Sequence, residues 1–398
     1  MKYIVIVPDG VADEPLKELG GKTPLEVAAT PNMDAIAGTG WTGLVQIIPE
    51  GMPPGSDVGN MSVLGYDATK GFSGRAPLEA ASLGIVLKDD ELAFRCNLVT
   101  VKDGVMVDYS SGHIPAEEAA RIMETIAAKL SDDRCRFYTG KSYRHLAVIR
   151  DPAIGELLSI KCTPPHDITN QPFAGHMPSG KRAADILKYM EAGTPILAAH
   201  PVNAERLKRG ESPANMLWFW GQGGRPQLEP FRQRYGVNGS IISAVDLVNG
   251  IGRVIGLDIV DVPGATGYYD TNYQGKADYA IESLKRHDFV YIHVESTDEA
   301  GHNGDYKAKV DCIEKFDRFV AGTALAYQKS HPDSRVLVVP DHATPIAKRT
   351  HTRSAVPFAM CGKGIEHNGV DRYNEKSAAG TGMLYKSGMD MMRRFMAR

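Results

Sequence analysis

Short apolar runs recur near both ends of the chain and are bounded by turn residues or charges. These runs are residues 3–7 (YIVIV), 44–48 (LVQII), 288–294 (DFVYIHV), 335–339 (RVLVV) and 356–361 (VPFAMC). Nearly continuous apolar runs of this length are typical of strands that are buried on both faces of a sheet. The pattern therefore predicts buried parallel strands.

Segments with helical periodicity lie between these strands. Thr30 precedes Pro31, the arrangement expected of a cap followed by proline at the first helical position. Residues 116–130 and 311–327 are predicted to be amphipathic helices. Strands that alternate with helices favour an α/β fold built on a doubly wound, mostly parallel sheet.

The middle of the chain is richer in Pro, Gly and polar loops, such as residues 162–167 (CTPPHD). The strongest strand patterns lie on either side of it. We therefore expect a discontinuous core domain formed by residues 1–106 and 223–398. A smaller α+β domain of residues 107–222 is inserted into it, and we expect this domain to act as a lid.

Composition and charge exclude several classes of protein. The 398 residues include 45 Lys and Arg against 48 Asp and Glu, a formal net charge of -3, so no strong field favours nucleic acid or an anionic membrane. No apolar stretch approaches the roughly 18 residues of a membrane span. Five scattered cysteines without a C-x-x-C pair, and no pattern of a signal peptide, indicate a cytoplasmic protein.

Two glycine motifs resemble phosphate-binding loops but lack the required context. Residues 38–43 (GTGWTG) fit G-x-G-x-x-G, yet a helix precedes them and a strand follows, the reverse of a dinucleotide site. Gly21 precedes Lys22 and Thr23, but the position five residues earlier is Leu16 and not glycine. We expect neither a Rossmann cofactor nor a Walker ATP site.

Metal-ligating residue types follow the predicted strands. They are Asp9, Asp298, His302, Asp341, His342 and His351. The carboxyl ends of parallel strands meet at one edge of a sheet, so these side chains are expected to converge. Asp298 and His302 are four residues apart and share one face of a helical turn. A mixed set of oxygen and nitrogen donors suits Mn, Zn, Mg or Fe.

Each of these residues has an ordinary structural alternative when it is taken alone. An aspartate at the end of a strand often caps a loop, and a single histidine is often a hydrogen-bonded surface residue. We treat Glu299 and His293, the latter within a predicted strand, as structural. The position of all the other candidates at the same predicted edge favours metal binding.

A candidate nucleophile lies in residues 54–57 (PGSD). Ser56 follows a Pro-Gly turn at the predicted start of a helix, where backbone N–H groups favour an arriving phosphate. The structural alternative is an N-cap serine. Divalent ions lower the pKa of a coordinated hydroxyl and stabilise a leaving oxygen, so the neighbouring ligand set makes Ser56 a credible nucleophile.

Taken in order, these passages resemble a known family over nearly the whole chain. They are residues 8–10 (PDG), 20–26 (GGKTPLE), 30–34 (TPNMD), 54–57 (PGSD), 64–67 (LGYD), 74–80 (GRAPLEA), 263–267 (PGATG), 298–302 (DEAGH) and 341–342 (DH). The set is similar to the archaeal type of cofactor-independent (2,3-bisphosphoglycerate-independent) phosphoglycerate mutases, within the alkaline phosphatase superfamily. The resemblance implies an alkaline phosphatase-like core.

The resemblance also implies a role for each candidate ligand. One divalent ion is expected at Asp298, His302 and His351, and a second at Asp9, Ser56, Asp341 and His342. Mn is the first expectation for these ions, with Zn, Mg, Fe or Co as alternatives, and bisphosphoglycerate is not expected to be required. Ser56 is expected to be phosphorylated.

Substrate contacts are implied less specifically. Residues 110–113 (SSGH) look like the loop of the family that carries a histidine, here His113, and residues 143–145 (YRH) look like a lid segment in which Arg144 supplies a cation. Arg75 and Lys276 are further candidates for contact with the substrate.

The implied activity is the interconversion of 3-phosphoglycerate and 2-phosphoglycerate through phosphoserine, by a chain that is expected to act as a monomer on a small phosphorylated substrate. A kinase that transfers phosphate from ATP to homoserine on the same metals is the main alternative. The sequence segments that support this alternative are residues 56–61 (SDVGNM) and 215–221 (NMLWFWG). The aromatic side chains of the second segment either pack against a nucleobase or belong to the hydrophobic core. A metal-dependent phosphatase and a non-catalytic metal-binding module are the remaining alternatives.

Overall fold

The computed structural model describes residues 1–70 and 74–397. The chain forms two compact units, of which the first comprises Met1–Gly71 and Leu228–Arg398 and the second comprises Phe72–Gln227. Each unit is built around a sheet of its own. Within the described residues, no helix is both long and apolar enough to cross a membrane.

In the part of the chain that the structure describes, the two sheets contain thirteen strands. In chain order they are β1 (Lys2–Pro8), β2 (Trp41–Val45), β3 (Glu91–Lys102), β4 (Val105–Asp108), β5 (Cys135–Lys141), β6 (Arg144–Arg150), β7 (Met216–Gly224), β8 (Gly239–Ile242), β9 (Asp258–Ile259), β10 (Phe289–Val294), β11 (Ser334–Val338), β12 (Val356–Gly362) and β13 (Leu384–Tyr385).

The α-helices alternate with the strands through most of the chain. They are α1 (Pro24–Val27), α2 (Pro31–Gly38), α3 (Ser56–Val63), α4 (Arg75–Ser82), α5 (Ala116–Leu130), α6 (Ile154–Leu158), α7 (Ala184–Ala198), α8 (Pro201–Lys208), α9 (Phe231–Tyr235), α10 (Asp246–Val254), α11 (Tyr273–Ser283), α12 (Ser296–Asn303), α13 (Tyr306–Lys315), α14 (Gly322–Ser330), α15 (Glu375–Gly380) and α16 (Gly388–Met396). Short 3-10 turns occur at Lys17–Leu19, Pro165–Ile168 and Ala174–His176, and a π-helical segment, Phe316–Ala321, joins α13 to α14.

The first unit contains an eight-stranded sheet in the order β13-β2-β12-β11-β1-β10-β8-β9. Strands β11, β1, β10, β8 and β9 are parallel, and β12 is antiparallel to both of its neighbours. Residues from Tyr3 to Val7 of the central strand β1 are almost fully buried, as their continuous apolar run requires. The predicted α/β fold with a mostly parallel sheet is therefore confirmed.

The second unit contains a five-stranded sheet in which β4, β3, β6 and β5 follow one another and β7 also pairs with β3. All of these pairs are antiparallel. Helices α5 and α7 pack on this sheet, and Trp218 and Phe219 of β7 are fully buried in its core. The aromatic run of residues 215–221 therefore contributes to the core of the unit.

The boundaries of the units differ from the predicted ones. The sequence predicts that residues 1–106 all belong to the core, but in the structure residues 74–106 belong to the second unit, together with residues 223–227. The physical reason is β3, which pairs along its length with β6 on one side and with β7 on the other. It is thus a central strand of the second sheet, and the inserted unit is longer than residues 107–222.

Removal of the Phe219 ring tests the core of the second unit. Its centroid lies 5.9 Å from that of Phe94 and 6.1 Å from that of Phe137. We expect Phe219→Ala to lower the free energy of unfolding by about 3–5 kcal/mol, because the substitution leaves a cavity between well-packed rings. The measurement is urea unfolding followed by tryptophan fluorescence, since Trp218 and Trp220 lie in the same strand.

Leu207→Ala is the matched control in the same unit. Leu207 is 61% exposed on α8, so its truncation should change stability by less than about 0.5 kcal/mol. Equal unfolding midpoints for the two variants would contradict the assignment of Phe219 to the core.

Candidate metal centre

The ends of three adjacent parallel strands bring the predicted ligands together. Strands β11, β1 and β10 lie side by side, with β1 in the middle. Asp9 follows β1, Asp298 and His302 lie on α12 just after β10, and Asp341 and His342 come soon after β11. Parallel strands point the same way, so all of these side chains reach one edge of the sheet.

A glycine next to one of the ligands allows these loops to approach closely. Gly10 has a φ of +61°, and a Cβ atom added there would lie 2.5 Å from both Asp298 Oδ1 and Thr344 Oγ1. A side chain at Gly59 on α3 would likewise overlap the carbonyl oxygen of Asp341. Glycine at these positions is therefore a condition for the convergence of the loops.

The first group of ligands is centred on Asp298. Its Oδ2 lies 3.2 Å from His302 Nε2 and its Oδ1 lies 3.5 Å from His351 Nε2, while the two Nε2 atoms are 2.9 Å apart. His302 Nδ1 donates to the carbonyl oxygen of Arg349 at 3.1 Å, which leaves Nε2 to face the group.

The electrostatics of this group follow from burial and ion pairing. Burial alone would raise the pKa of Asp298, but hydrogen bonds from His302 and His351 hold it well below its usual range. The Asp298 carboxylate in turn raises the pKa of His302 to about 9. A negative carboxylate thus lies between two imidazoles.

The second group contains the predicted nucleophile. His342 Nε2 lies 3.2 Å from Ser56 Oγ, 3.4 Å from Asp9 Oδ1 and 3.5 Å from Asp341 Oδ2. Its other ring nitrogen, Nδ1, lies 4.0 Å from Asp298 Oδ1 of the first group. His342 therefore lies between Asp298 of the first group and the carboxylates of Asp9 and Asp341 in the second.

Ser56 is the first residue of α3, and Gly55 occupies the N-cap position. The structure therefore does not use Ser56 as the N-cap. Asn60, one turn later, donates from Nδ2 to the carbonyl oxygen of Ser56 at 2.9 Å and to Asp341 Oδ2 at 2.7 Å. Its Oδ1 accepts from the hydroxyl of Tyr291 at 2.6 Å, which fixes the orientation of the amide. Asn60 thus joins the nucleophile to a candidate ligand.

His293 lies in this centre, although its place within a predicted strand suggested a structural role. Its Nε2 lies 3.1 Å from Asp9 Oδ2. Asp9, His293 and Asp341 form one of two groups among the described residues that could hold a metal ion. The other group is Asp298, His342 and His351. This division differs from the one that the resemblance implies, because His342 also lies close to the first group.

The side chains of these two groups have the chemistry that binds a divalent cation. Within the described part of the chain, both carboxylate oxygens of Asp9 and Nε2 of His293 are buried without a hydrogen-bond partner. Burial raises the pKa of Asp9 well above its ordinary value, and the nearby charges of Asp341 and Asp298 raise it further. Buried polar atoms without partners are costly, and a cation would satisfy them. The donors are carboxylate oxygens and imidazole nitrogens, which suit Mn, Zn or Fe.

Comparison with known proteins identifies the family. A model of the 2,3-bisphosphoglycerate-independent phosphoglycerate mutase family matches residues 37–203. The chain is 47% identical to the protein of that name from Methanosarcina acetivorans over 98% of each chain. The chain belongs to this family. A relative from Geobacter sulfurreducens, described as a probable member, is 45% identical over the full length of both chains.

Solved structures of similar chains agree with the family assignment. The cofactor-independent phosphoglycerate mutase of Thermoplasma acidophilum superposes with a TM-score of 0.70 at 29% identity, covering 100% of this chain and 99% of that one. A protein from Pyrococcus horikoshii superposes with a TM-score of 0.83 at 31% identity, covering 99% and 97%. The family resemblance inferred from the sequence motifs is therefore confirmed.

Three of the predicted substrate contacts lie in the second unit of this family member. His113 is exposed, with a φ of 48°, in a loop held by the carboxylate of Asp108, which accepts from the backbone N–H of Ser110 and of Gly112. The guanidinium of Arg144 lies 5.6 Å from the ring of Tyr143. The rings of His113 and Tyr143 are 6.1 Å apart.

His166 is a further imidazole near these side chains. It was not predicted from the sequence because it lies in a loop with no pattern beyond two prolines. Its ring lies 6.0 Å from that of Tyr109, which in turn lies 6.5 Å from that of His113. Burial lowers the pKa of His166 by more than the neighbouring Asp167 carboxylate raises it, and the charges of Arg95 and Arg75 lower it further. Arg75, exposed at the start of α4, is thus close enough to His166 to influence it.

Lys276 lies in the first unit, on α11. Its Nζ is buried and donates to the carbonyl oxygen of His293 at 2.9 Å. Burial lowers the pKa of Lys276 to about 8. In this structure the ammonium group supports the end of β10, next to Asp9.

The space available at Gly10 can be tested by comparison with a second left-handed glycine. Gly10→Ala should lower the free energy of unfolding by about 1–2 kcal/mol through backbone strain and by a further 1–3 kcal/mol through overlap with Asp298. Gly256 has a φ of +77°, and among the described residues no atom beyond Gly256 and its chain neighbours lies within 4 Å of a Cβ built there. Gly256→Ala should therefore lower the free energy of unfolding only through backbone strain. Urea unfolding measures both, and an equal loss would refute the close approach at Gly10.

Proposed function

We propose that this chain interconverts 3-phosphoglycerate and 2-phosphoglycerate without 2,3-bisphosphoglycerate, through a phosphoserine at Ser56. The observation that carries the proposal is the position of Ser56 Oγ, 3.2 Å from His342 Nε2, in a chain whose close relatives are named as mutases of this kind. A hydroxyl beside two groups of metal ligands suits transfer of a phosphoryl group.

The proposed metal centre holds two divalent ions. Asp298, His302 and His351 would hold one ion, and Asp9, Ser56, Asp341 and His342 the other, with Mn as the first expectation. When bound, the ions would neutralise the charge that develops on the transferred phosphoryl group and lower the pKa of the attacking hydroxyl. The position of His293 Nε2 beside Asp9 makes it a candidate to support the second ion.

The chemistry consists of two transfers through the same side chain. Ser56 Oγ attacks the phosphorus of 3-phosphoglycerate, so that the O–P bond to Ser56 forms while the bond to the 3-oxygen of glycerate breaks, and the hydroxyl proton of Ser56 ends on that 3-oxygen. Glycerate then turns, and its 2-hydroxyl attacks the phosphorus while the bond to Ser56 Oγ breaks. The proton of the 2-hydroxyl ends on Ser56 Oγ, which restores the free hydroxyl and yields 2-phosphoglycerate. The N-terminus of α3, where Ser56 lies, would favour the negative charge of the phosphoryl group. Asn60 holds the Ser56 backbone in place through both transfers.

Glycerate must stay bound between the transfers, and water must be kept from the phosphoserine, or the mutase becomes a phosphatase. We assign these tasks to the second unit acting as a lid. Arg144 and Arg75 would bind the carboxylate of glycerate, and His113 would bind a hydroxyl or the phosphate. Lys276 would stabilise negative charge beside Asp9. A cytoplasmic location and a monomeric state likewise stay predictions.

The homoserine kinase alternative loses its main support in the fold. Trp218 and Phe219 are fully buried in the core of the second unit, and Trp220 is 7% exposed, so the aromatic run has little surface to offer a nucleobase. A simple phosphatase would need no second unit to retain an alcohol product.

The substrate is tested by two parallel reactions of the purified protein with Mn²⁺, followed by phosphorus NMR. One contains 3-phosphoglycerate without bisphosphoglycerate, and the other contains ATP and homoserine. We expect 2-phosphoglycerate in the first and no change in the second. Formation of phosphohomoserine with an inert first reaction would replace the mutase by the kinase, and inorganic phosphate alone would indicate a phosphatase.

The nucleophile is tested by Ser56→Ala, which should lower kcat by at least about a thousandfold because it removes the hydroxyl that takes the phosphoryl group. Acid trapping with labelled 3-phosphoglycerate should place the label on Ser56 in the unmodified protein. Ser62→Ala is the matched control, since Ser62 is a serine on the same helix. Label on a residue other than Ser56 would refute the mechanism.

Dependence on metal is tested by removal with a chelator. We expect activity to be lost and to return with added Mn²⁺, because the buried carboxylates at the end of β1, β10 and β11 repel an anionic substrate unless cations neutralise them. Full activity of a protein shown by elemental analysis to be free of metal would contradict the two-ion centre.

A further inference from the structure

A single threonine hydroxyl lies between the two groups of ligands. Thr344 is fully buried, and its Oγ1 donates a hydrogen bond to Asp298 Oδ1. The same oxygen lies 3.2 Å from His342 Nδ1. Thr344 therefore contacts Asp298 of the first group and His342 of the second.

The number of protons decides the direction of both hydrogen bonds. An ionised carboxylate can only accept, and a hydroxyl carries one hydrogen, so the hydroxyl hydrogen of Thr344 belongs to the bond with Asp298. Nδ1 of His342 must then donate to Thr344 Oγ1. Asp298 Oδ1, at 4.0 Å from Nδ1, is too distant to accept in its place. The lone pair of His342 is consequently on Nε2, which faces Asp9, Asp341 and Ser56.

The backbone of Thr344 is held in place by groups outside the metal centre. Lys309 Nζ donates to the carbonyl oxygen of Thr344 at 2.8 Å and to Asp13 Oδ2 at 2.7 Å, and both charged side chains of this pair are fully buried. The backbone N–H of Thr344 donates to the carbonyl oxygen of Ala12 at 3.2 Å. The hydroxyl is thus presented by a rigid support that does not depend on the ligands themselves.

We propose that Thr344 is a positioning residue that couples the two ion sites, because one hydroxyl fixes the tautomer of His342 and the orientation of Asp298 together. Loss of the hydroxyl should then weaken the binding of both ions at once. A side chain that supported only one ligand would affect one ion and leave the other unchanged. This inference rests on the proposed metal centre but does not depend on the identity of the substrate.

The tautomer of His342 gives a test that requires neither metal nor activity. Long-range nitrogen–proton NMR of the imidazole side chains, in metal-free protein at a pH above the titration of His342, distinguishes protonated Nδ1 from protonated Nε2. The His342 signal is assigned by its disappearance in His342→Gln. We expect protonated Nδ1 in the unmodified protein and in Thr344→Ser, and a mixture or protonated Nε2 in Thr344→Val. Protonated Nε2 in the unmodified protein would overturn the proposal, whether or not any variant folds.

Binding of Mn²⁺ tests the coupling itself. Thr344→Val keeps the shape of the side chain and removes the hydroxyl, whereas Thr344→Ser keeps the hydroxyl. Titration calorimetry, with free Mn²⁺ measured by electron paramagnetic resonance, should show both ions bound about 10- to 100-fold more weakly by Thr344→Val and within about twofold of the unmodified affinity by Thr344→Ser. Circular dichroism and thermal unfolding confirm that each variant is folded.

The outcomes separate this proposal from the proposed function. If folded Thr344→Val binds only one of the ions more weakly, or neither, the coupling is overturned and the metal centre is left in place. Failure of the unmodified protein to bind two ions would overturn both the coupling and the metal centre. Binding of two ions with the expected losses, but without formation of 2-phosphoglycerate, would support the coupling and refute the proposed substrate.

Discussion

The burial of several carboxylates at one edge of the parallel sheet is the constraint on which the first unit depends. Asp9 and Asp341 are fully buried, and Asp298 is 4% exposed. Their mutual repulsion in a medium of low polarity must be offset by neighbouring imidazoles, by N–H donors or by cations. The glycines of the adjoining loops, the amide of Asn60 and the hydroxyl of Thr344 all serve to bring these charges close while keeping each one oriented.

The sheet of the first unit was predictable because its strands are buried on both faces. Such strands appear in the sequence as unbroken apolar runs, and the five predicted runs all overlap observed strands of this sheet. The antiparallel direction of β12 was not predictable, since direction depends on how the connecting segments return and leaves no mark on the strand itself. The boundary of the second unit could not be predicted for a related reason. Strand β3 finds its partners β6 and β7 far along the chain, and nothing local to residues 91–102 identifies the sheet to which they belong.

The candidate ligands were predictable because chemistry restricts the residue types and because strand ends restrict their positions. Asp9, Asp298, His302, Asp341, His342 and His351 all fall in one centre, as expected. The supporting residues were not predictable in this way. A threonine two positions after a histidine, or an asparagine one turn into a helix, is common in every fold, and its role depends on the hydrogen-bond partners that folding supplies. His293 and His166 were missed for the same reason.

The discontinuity of the first unit has a consequence for biosynthesis. The second unit is one continuous stretch and can fold as soon as it has left the ribosome. The central strand β1 is made first, yet its partners β10 and β11 begin only at residues 289 and 334. A fully apolar segment must therefore remain unpaired during most of translation, which makes it a natural substrate for a chaperone. His351, the last of the candidate ligands along the chain, also comes after β10 and β11, so the candidate metal centre can assemble only late in translation.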